Sequence, residues 1–100
     1  MNALLEGILG ALRAAEPVLR EGGVLSLAIA GSVARGTARD NSDLDLMVDL
    51  DPARPLGLLA LVDLRQSIES RVGRKADLLE RRALRPEIRA ALERDAIPVF

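Results

Sequence analysis

Residues 30–50 read AGSVARGTARDNSDLDLMVDL, and this stretch decides the fold. It opens on a Gly-Ser step, which the ten residues 33–42 separate from an Asp-x-Asp pattern. Two arginines lie between the two motifs. The carboxylates of the stretch, with one just beyond it, are Asp40, Asp43, Asp45, Asp49 and Asp51. Like charges this close repel each other, so the sequence raises the question of what offsets the repulsion.

The segments on either side of the loop are predicted to be strands. VLSLAIA, residues 24–30, is a continuous apolar run bounded by glycines, which is typical of a buried central strand. LDLMVDL, residues 44–50, alternates instead, and Leu44, Leu46 and Val48 are predicted to face the core. The opposite face is predicted to present acids and consists of Asp43, Asp45, Met47 and Asp49.

Helices are predicted around these strands. Residues 3–15 carry large aliphatic residues at spacings of three and four, with Asn2 as the N-cap. A second helix is predicted from Pro55 to about Val72, where Gly73 ends it.

The remaining segments complete an α/β (α+β) fold. KADLLE, residues 75–80, is predicted to be a third strand, Pro86 to open a last helix, and residues 96–100 to be an extended tail. This order of elements predicts a small mixed β-sheet with helices packed on it. Residues 1–100 are expected to form a single domain.

The composition restricts the chemistry. Hydrophobic residues make up 49% and charged residues 29% of the chain, as in globular domains. The absence of cysteine and histidine excludes thiol nucleophiles, disulfides, the usual zinc sites and imidazole bases. Carboxylates, hydroxyls, arginines or a metal ion with oxygen ligands therefore have to carry any reaction.

The sequence also indicates a location. It shows neither the basic region and cleavage site of a signal peptide nor an apolar run long enough to span a membrane. We therefore expect a cytoplasmic protein without membrane contact. With a net charge of -1, the chain is not expected to bind nucleic acid directly.

Asp43 and Asp45 are predicted to bind metal. Residues i and i+2 of a strand project from one face with about 6.6 Å between their Cα atoms, and two-metal sites hold their ions about 3.5–4 Å apart. Magnesium takes few carboxylates and completes its shell with water and phosphate oxygens. The sequence thus predicts two Mg²⁺ ions, with Asp77 as a third carboxylate that completes one shell or accepts a proton. Taken alone, NSDLD is equally compatible with a polar turn before a solvated strand face.

The Gly-Ser step adds a predicted phosphate-binding element. Gly31 and Ser32 follow the end of the buried strand, where backbone N–H groups can bind phosphate oxygens. Glycine permits close approach, and the serine hydroxyl adds a donor. Arg35 and Arg39 match the charge of a triphosphate or of its pyrophosphate leaving group.

This combination resembles the nucleotidyltransferase superfamily that includes DNA polymerase beta, in which Gly-Ser, a spacer and Asp-x-Asp precede a third acid on a later strand. More closely, GSVARGTARDNSDLDLMVDL, KADLL and RDAIPVF are similar to the minimal nucleotidyltransferases (MNT), over nearly the whole chain. The resemblance implies a nucleotidyltransferase fold. The functional positions that it implies are Gly31 and Ser32 for phosphate, and Asp43, Asp45 and Asp77 for the catalytic carboxylates.

The resemblance also implies a function. Minimal nucleotidyltransferases commonly act as antitoxins beside a helical HEPN ribonuclease, and active members transfer AMP from ATP to a tyrosine of that toxin. The chain is therefore expected to be a Mg²⁺-dependent protein adenylyltransferase. The acceptor hydroxyl would attack the α-phosphate in line and release pyrophosphate.

Two other functions remain open from the sequence. The chain would be a non-catalytic antitoxin if it blocked the HEPN ribonuclease by binding alone. Transfer to a small molecule or an RNA 3′ end is a weaker alternative, because larger relatives hold such acceptors with a second domain, for which one hundred residues leave no room. A hetero-oligomer with the toxin is expected, or a homodimer when the chain is alone.

Two surface segments each allow two interpretations. LGLLALVDL, residues 56–64, is apolar nearly all round, so it either faces another subunit or is buried between the sheet and a helix. RRALRPEIR, residues 81–89, either binds RNA or an acidic toxin surface or forms a solvated helix face. Phe100 is the single aromatic residue, so no aromatic pair can hold a base, and the preference for ATP rests on the resemblance.

Overall fold

The computed structural model, which describes residues 2–100, is built on one four-stranded sheet. Its strands, in chain order, are β1 (Val24–Ala30), β2 (Leu44–Leu50), β3 (Ala76–Glu80) and β4 (Ile97–Pro98). The spatial order is β3-β2-β1-β4, so β1 and β2 are central. β1 is antiparallel to β2 and to β4, whereas β2 and β3 are parallel. The predicted mixed sheet and α/β class are confirmed.

The three helices that the sequence predicts are present in residues 2–100, together with two short ones, the second and third along the chain, that were not predicted. They are α1 (Ala3–Ala14), α2 (Glu16–Glu21), α3 (Gly31–Arg35), α4 (Leu58–Val72) and α5 (Pro86–Asp95), with a 3₁₀ turn at Arg81–Ala83. The side chain of Asn2 accepts the Leu5 N–H at 2.8 Å, which confirms the predicted cap of α1. Gly73, at φ 69°, ends α4 as predicted. α4 starts later than predicted, because Gly57 is its extended N-cap and residues 55–57 lie outside the helix.

One face of the sheet carries the core. Leu44, Leu46 and Val48 of β2 are at most 2% exposed, as predicted for the apolar side of this strand. They belong to one cluster with aliphatic residues of α1, α2 and α4, so these three helices cover this face. β1 is buried along most of its length, which confirms its prediction as a central strand.

The other face is not the open acidic surface that the alternation predicts. Met47 is 0% exposed although it projects from the same side as Asp45 and Asp49. Arg81 joins Asp49 at 3.1 Å to Glu93 of α5 at 2.6 Å, so the 3₁₀ turn and α5 cover this part of the face. Asp49 therefore belongs to a structural network, and Asp45 lies at the opposite end of β2.

The apolar stretch 56–64 is divided between the surface and the core. Leu58 and Leu59 in the first turn of α4 are 77% and 80% exposed, whereas Leu64 is 9% exposed. Burial against the sheet thus explains the apolar residues in the second turn of α4. The apolar residues of the first turn form an exposed surface. Within residues 2–100, no helix is long and apolar enough to cross a membrane.

The arginines of residues 81–89 do not form one helix face. Arg81 and Arg82 lie in the 3₁₀ turn and Arg85 is the N-cap of α5, so Arg89 alone of the four lies within the helix. Arg81 is engaged by two carboxylates and is not available to an external partner. The interpretation as a solvated helix face is wrong in this respect.

Candidate active site

The Gly-Ser step places its backbone directly against an acid. β1 ends at Ala30, which is paired with Asp45 of β2, and the chain then turns through Gly31 with φ 65°. A Cβ atom at Gly31 would collide with the Oδ2 atom of Asp45 and lie 3.2 Å from its Cγ. Both the conformation and the space therefore require glycine at this position.

The short helix α3 brings Ser32 and Arg35 to the same end of the sheet. Ser32 is half-buried in its first turn, and the N-cap Ala30 makes no side-chain hydrogen bond to the helix. Gly36, at φ 77°, ends the helix, and Thr37 N–H donates to the carbonyl oxygen of Ser32 at 2.9 Å. The sequence predicted a phosphate-binding turn here. In the structure these residues form the short helix α3.

The three predicted metal-binding acids lie at this end of the sheet. Asp45 and Asp77 are direct partners in the parallel pair of β2 and β3, and Asp43 precedes β2 by one residue. Asp43 and Asp77 are exposed and Asp45 is half-buried. Asp45 thus lies between the Gly31 backbone and the acid of the neighbouring strand.

Electrostatics show how closely these groups interact. Burial raises the pKa of Asp45 above its ordinary value, and the charges of Asp77 and Asp43 raise it further. Arg35 acts on the same pKa in the opposite direction. The guanidinium of Arg35 therefore offsets part of the charge around Asp45, and its role in binding phosphate stays a prediction.

The turn before Asp43 holds the second predicted arginine by its backbone. The N–H of Arg39 donates to Ser42 Oγ at 2.8 Å, and its carbonyl oxygen accepts from Ser42 N–H at 3.0 Å. The side chain of Arg39 is exposed. The structure therefore orders the backbone of this turn, and a role of the Arg39 side chain in binding phosphate stays a prediction.

A protein-family model described as a nucleotidyltransferase domain matches residues 11–99, which is nearly the whole chain. The chain belongs to the nucleotidyltransferase family. Over 96 residues it is 32% identical to the protein adenylyltransferase MntA of Thermococcus cleftensis, with 95% of each chain covered. The family predicted from the Gly-Ser and Asp-x-Asp motifs is confirmed.

Solved structures agree with this family. A structure of a protein assigned as a minimal nucleotidyltransferase matches the chain with a TM-score of 0.71 and 36% identity, over 90% of this chain and 94% of that one. A tri-AMPylated HEPN toxin of Shewanella oneidensis in complex with an MNT antitoxin matches with a TM-score of 0.64 and 17% identity, over 92% of this chain and 71% of that one. At the latter identity the likeness shows the fold alone.

The acids of this nucleotidyltransferase fit magnesium in chemistry. All three donors are carboxylates, and the repulsion that raises the pKa of Asp45 is one that a cation relieves. In the described part of the chain, residues 2–100, no three acidic side chains lie together as a preformed metal cluster. Mg²⁺ needs only one or two protein carboxylates and takes its other ligands from water and substrate phosphates. The arrangement therefore suits a metal that enters with the nucleotide.

Sequence reasoning missed one residue beside this nucleotidyltransferase site. Arg74 donates to the carbonyl oxygens of Arg39 at 2.8 Å and of Ser42 at 2.6 Å. Arg74 stands between Gly73, which ends a helix, and the strand that carries Asp77, and this position could be recognised from the sequence. The distant loop that it holds has no signature in the sequence.

Proposed function

We propose that this nucleotidyltransferase transfers AMP from ATP to a tyrosine hydroxyl of a HEPN toxin and thereby acts as its antitoxin. The observation that carries the proposal is the contact of the Asp45 carboxylate with the backbone of Gly31, with Asp77 in register beside it. This contact supports a site in which the turn at Gly31 would bind phosphate next to the acids that would bind metal. The names of the T. cleftensis adenylyltransferase and of the AMPylated S. oneidensis complex support the donor and the acceptor.

The residues of the proposed site would bind different parts of the nucleotide or the metal. Gly31 and Ser32 would bind phosphate oxygens through their backbone N–H groups and the serine hydroxyl. Arg35 and Arg39 would offset the charge of the triphosphate. The magnesium ligands would be Asp43, Asp45 and Asp77. When bound, Mg²⁺ supplies neutralisation of the phosphate charge and a lower pKa for the acceptor hydroxyl.

The reaction is a displacement at the α-phosphorus. A bond forms between the acceptor oxygen and the α-phosphorus, and the bond from that phosphorus to the bridging oxygen of the β-phosphate breaks. Pyrophosphate leaves with the bonding electrons. Asp77 is exposed at the edge of the site, where its carboxylate can accept the hydroxyl proton.

A groove beside α4 is the proposed partner surface. An open groove of about 380 Å³ lies between α4 and the β2–β3 edge, and residues Leu58, Leu61, Val62 and Asp77 are part of its lining. Asp77 is among the groove's lining residues, but the groove lies on the α4 side of the sheet, whereas Asp45 and its register partner Asp77 project from the other side. A protein bound in the groove would therefore reach the carboxylates around the β3 edge. The exposed apolar lining supports a macromolecular partner and a hetero-oligomer with the toxin.

The first step is to search the reading frames beside the gene for a helical HEPN protein. The assay then combines that protein with the purified chain, ATP and Mg²⁺. Intact mass spectrometry should show the toxin gain the mass of one or more AMP units, and EDTA should prevent the gain. Asp43→Asn should lose transfer, whereas Asp40→Asn, in the exposed turn just before it, should keep it.

Two results would overturn the proposal. If the wild-type chain inhibits the ribonuclease while the toxin keeps its mass, the chain is a non-catalytic antitoxin. If Asp43→Asn transfers AMP as well as the wild type, the assignment of the metal-binding acids is wrong.

A further inference from the structure

Arg74 connects two parts of the candidate site that are distant in sequence. Its Nη1 atom donates to the carbonyl oxygens of Arg39 and Ser42, at 2.8 and 2.6 Å. These are the first and last residues of the turn that leads into Asp43, and the same turn is closed by the Ser42 N–H bond to Arg39. One half-buried guanidinium group therefore holds both ends of the turn.

The backbone on both sides of Asp43 is fixed by consecutive residues. Arg74 binds the carbonyl oxygen of Ser42, on one side of Asp43. The N–H of Leu44, on the other side, donates to the carbonyl oxygen of Lys75 at 2.8 Å. Asp43 lies outside β2 and has no strand pairing of its own, so these two bonds define where its side chain starts.

The segment that carries Arg74 is itself fixed to α4. Gly73 turns the chain out of α4 in a left-handed conformation, and the N–H of Ala76 donates to the carboxylate of Glu69 at 2.8 Å. Asp77 follows Ala76 as the second residue of β3. The segment 73–77 therefore places Asp77 by its own backbone and Asp43 through the guanidinium of Arg74.

We propose that Arg74 is a positioning residue that sets Asp43 against Asp45 and Asp77 for metal binding. The inference rests on the proposed function for its effect on activity, and on hydrogen bonds within this chain for its structural part. Metal ligands whose supporting groups are removed commonly lose about 10- to 100-fold in metal affinity or activity. Arg74 does not touch the substrate in this proposal, so it acts through Asp43 alone.

The test compares Arg74→Met with Arg71→Met, which removes an exposed arginine one turn earlier, near the end of α4. In the metal-free protein, hydrogen exchange at the Arg39 and Ser42 amides, whose hydrogen bonds close the turn, should accelerate in Arg74→Met and not in Arg71→Met. The Mg²⁺ concentration that gives half-maximal transfer should rise about 10- to 100-fold, while the KM for ATP stays within about twofold. Arg74→Lys should restore most of both properties, since an ammonium group can donate to the same two carbonyl oxygens.

Two outcomes would overturn the inference. If Arg74→Met leaves the exchange of the turn and the Mg²⁺ requirement unchanged, Arg74 does not position Asp43. If exchange accelerates equally at Leu46 in the sheet and the Mg²⁺ requirement is unchanged, Arg74 supports only general stability. Failure of the proposed function would give a different result. The wild type would then transfer no AMP, while Arg74→Met would still accelerate hydrogen exchange in the turn of the metal-free protein.

Discussion

The carboxylate of Asp45 lies in the space that a side chain at Gly31 would need. Gly31 also has φ 65°, a conformation that L-residues with a side chain rarely adopt. One residue thus meets two requirements, because it lets the chain turn from β1 into α3 and lets a carboxylate approach the backbone. The contact joins the element predicted to bind phosphate to an acid predicted to bind metal.

Gly31→Ala should damage both the fold and the reaction. The backbone strain costs on the order of 1–3 kcal/mol of unfolding free energy, and the new methyl group displaces the carboxylate of Asp45. Thermal unfolding should show a lower Tm, and AMP transfer should be lost at temperatures where the variant is still folded.

Gly10→Ala is the matched control for this substitution. Gly10 lies within α1, where a Cβ atom would have nothing within 4 Å. Alanine should stabilise the helix there by about 0.5–1 kcal/mol and leave transfer unchanged. Retention of full transfer by Gly31→Ala would show that the Gly31–Asp45 contact is dispensable.

Asp45→Asn should stabilise the metal-free protein while it abolishes transfer. Burial and two neighbouring acids penalise the charged form of Asp45, so a neutral amide of similar size removes a repulsion. The Tm should rise, by roughly 4–8 °C for each 1 kcal/mol gained in a domain of this size. Such a gain on removal of a functional group is typical of strained active sites.

The stabilisation by Asp45→Asn should increase as the pH rises. Because the pKa of Asp45 is raised in the folded state, the folded protein binds the proton more tightly than the unfolded chain. The wild type therefore loses stability as pH rises from the unfolded value of 3.8 through the raised pKa, and Asp45→Asn does not. Thermal melts in EDTA across acidic to neutral pH measure the difference, which should vanish at the acid end. A difference that grows toward acid pH would contradict the raised pKa.

The sequence predicted the parts of the site that depend on local chemistry. Alternation along residues 44–50 gives the two faces of β2, and Asp77 lies in register with Asp45 as its place in a neighbouring strand suggested. The contacts of Arg74 and Arg81 were not predictable, because both join residues more than thirty positions apart whose approach depends on the packed fold. The burial of Met47 has the same origin, since α5 and the 3₁₀ turn cover a strand face whose pattern alone indicates solvent.

Arg81→Met should lower stability and spare the reaction. Asp49 accepts hydrogen bonds from Ser26 and Arg81, and Arg81 also binds Glu93, at a distance from the Gly31 end of the sheet. Removal of a partly exposed charged partner should cost about 1–2 kcal/mol of unfolding free energy.

Denaturant unfolding and transfer assays on the same samples check this prediction. Arg82→Met removes an exposed arginine of the same 3₁₀ turn and should change neither property. A loss of transfer by Arg81→Met with an unchanged Tm would place Arg81 in the active site.

Substitution of the exposed first turn of α4 should separate docking from chemistry. Leu58 and Leu59 are 77% and 80% exposed, so Leu58→Glu and Leu59→Glu should change the unfolding free energy by no more than about 0.5 kcal/mol. If this surface binds the toxin, burial of a carboxylate in the interface should weaken the complex by about tenfold or more, which corresponds to 1.4 kcal/mol. Calorimetric titration with the HEPN protein measures the Kd, and the transfer assay should show a higher KM for the toxin with kcat maintained.

Val18→Glu, at a 51% exposed apolar position on α2, is the control and should bind like the wild type. Equal affinity for the leucine variants and the wild type would mean that the acceptor reaches Asp77 from another side of the sheet.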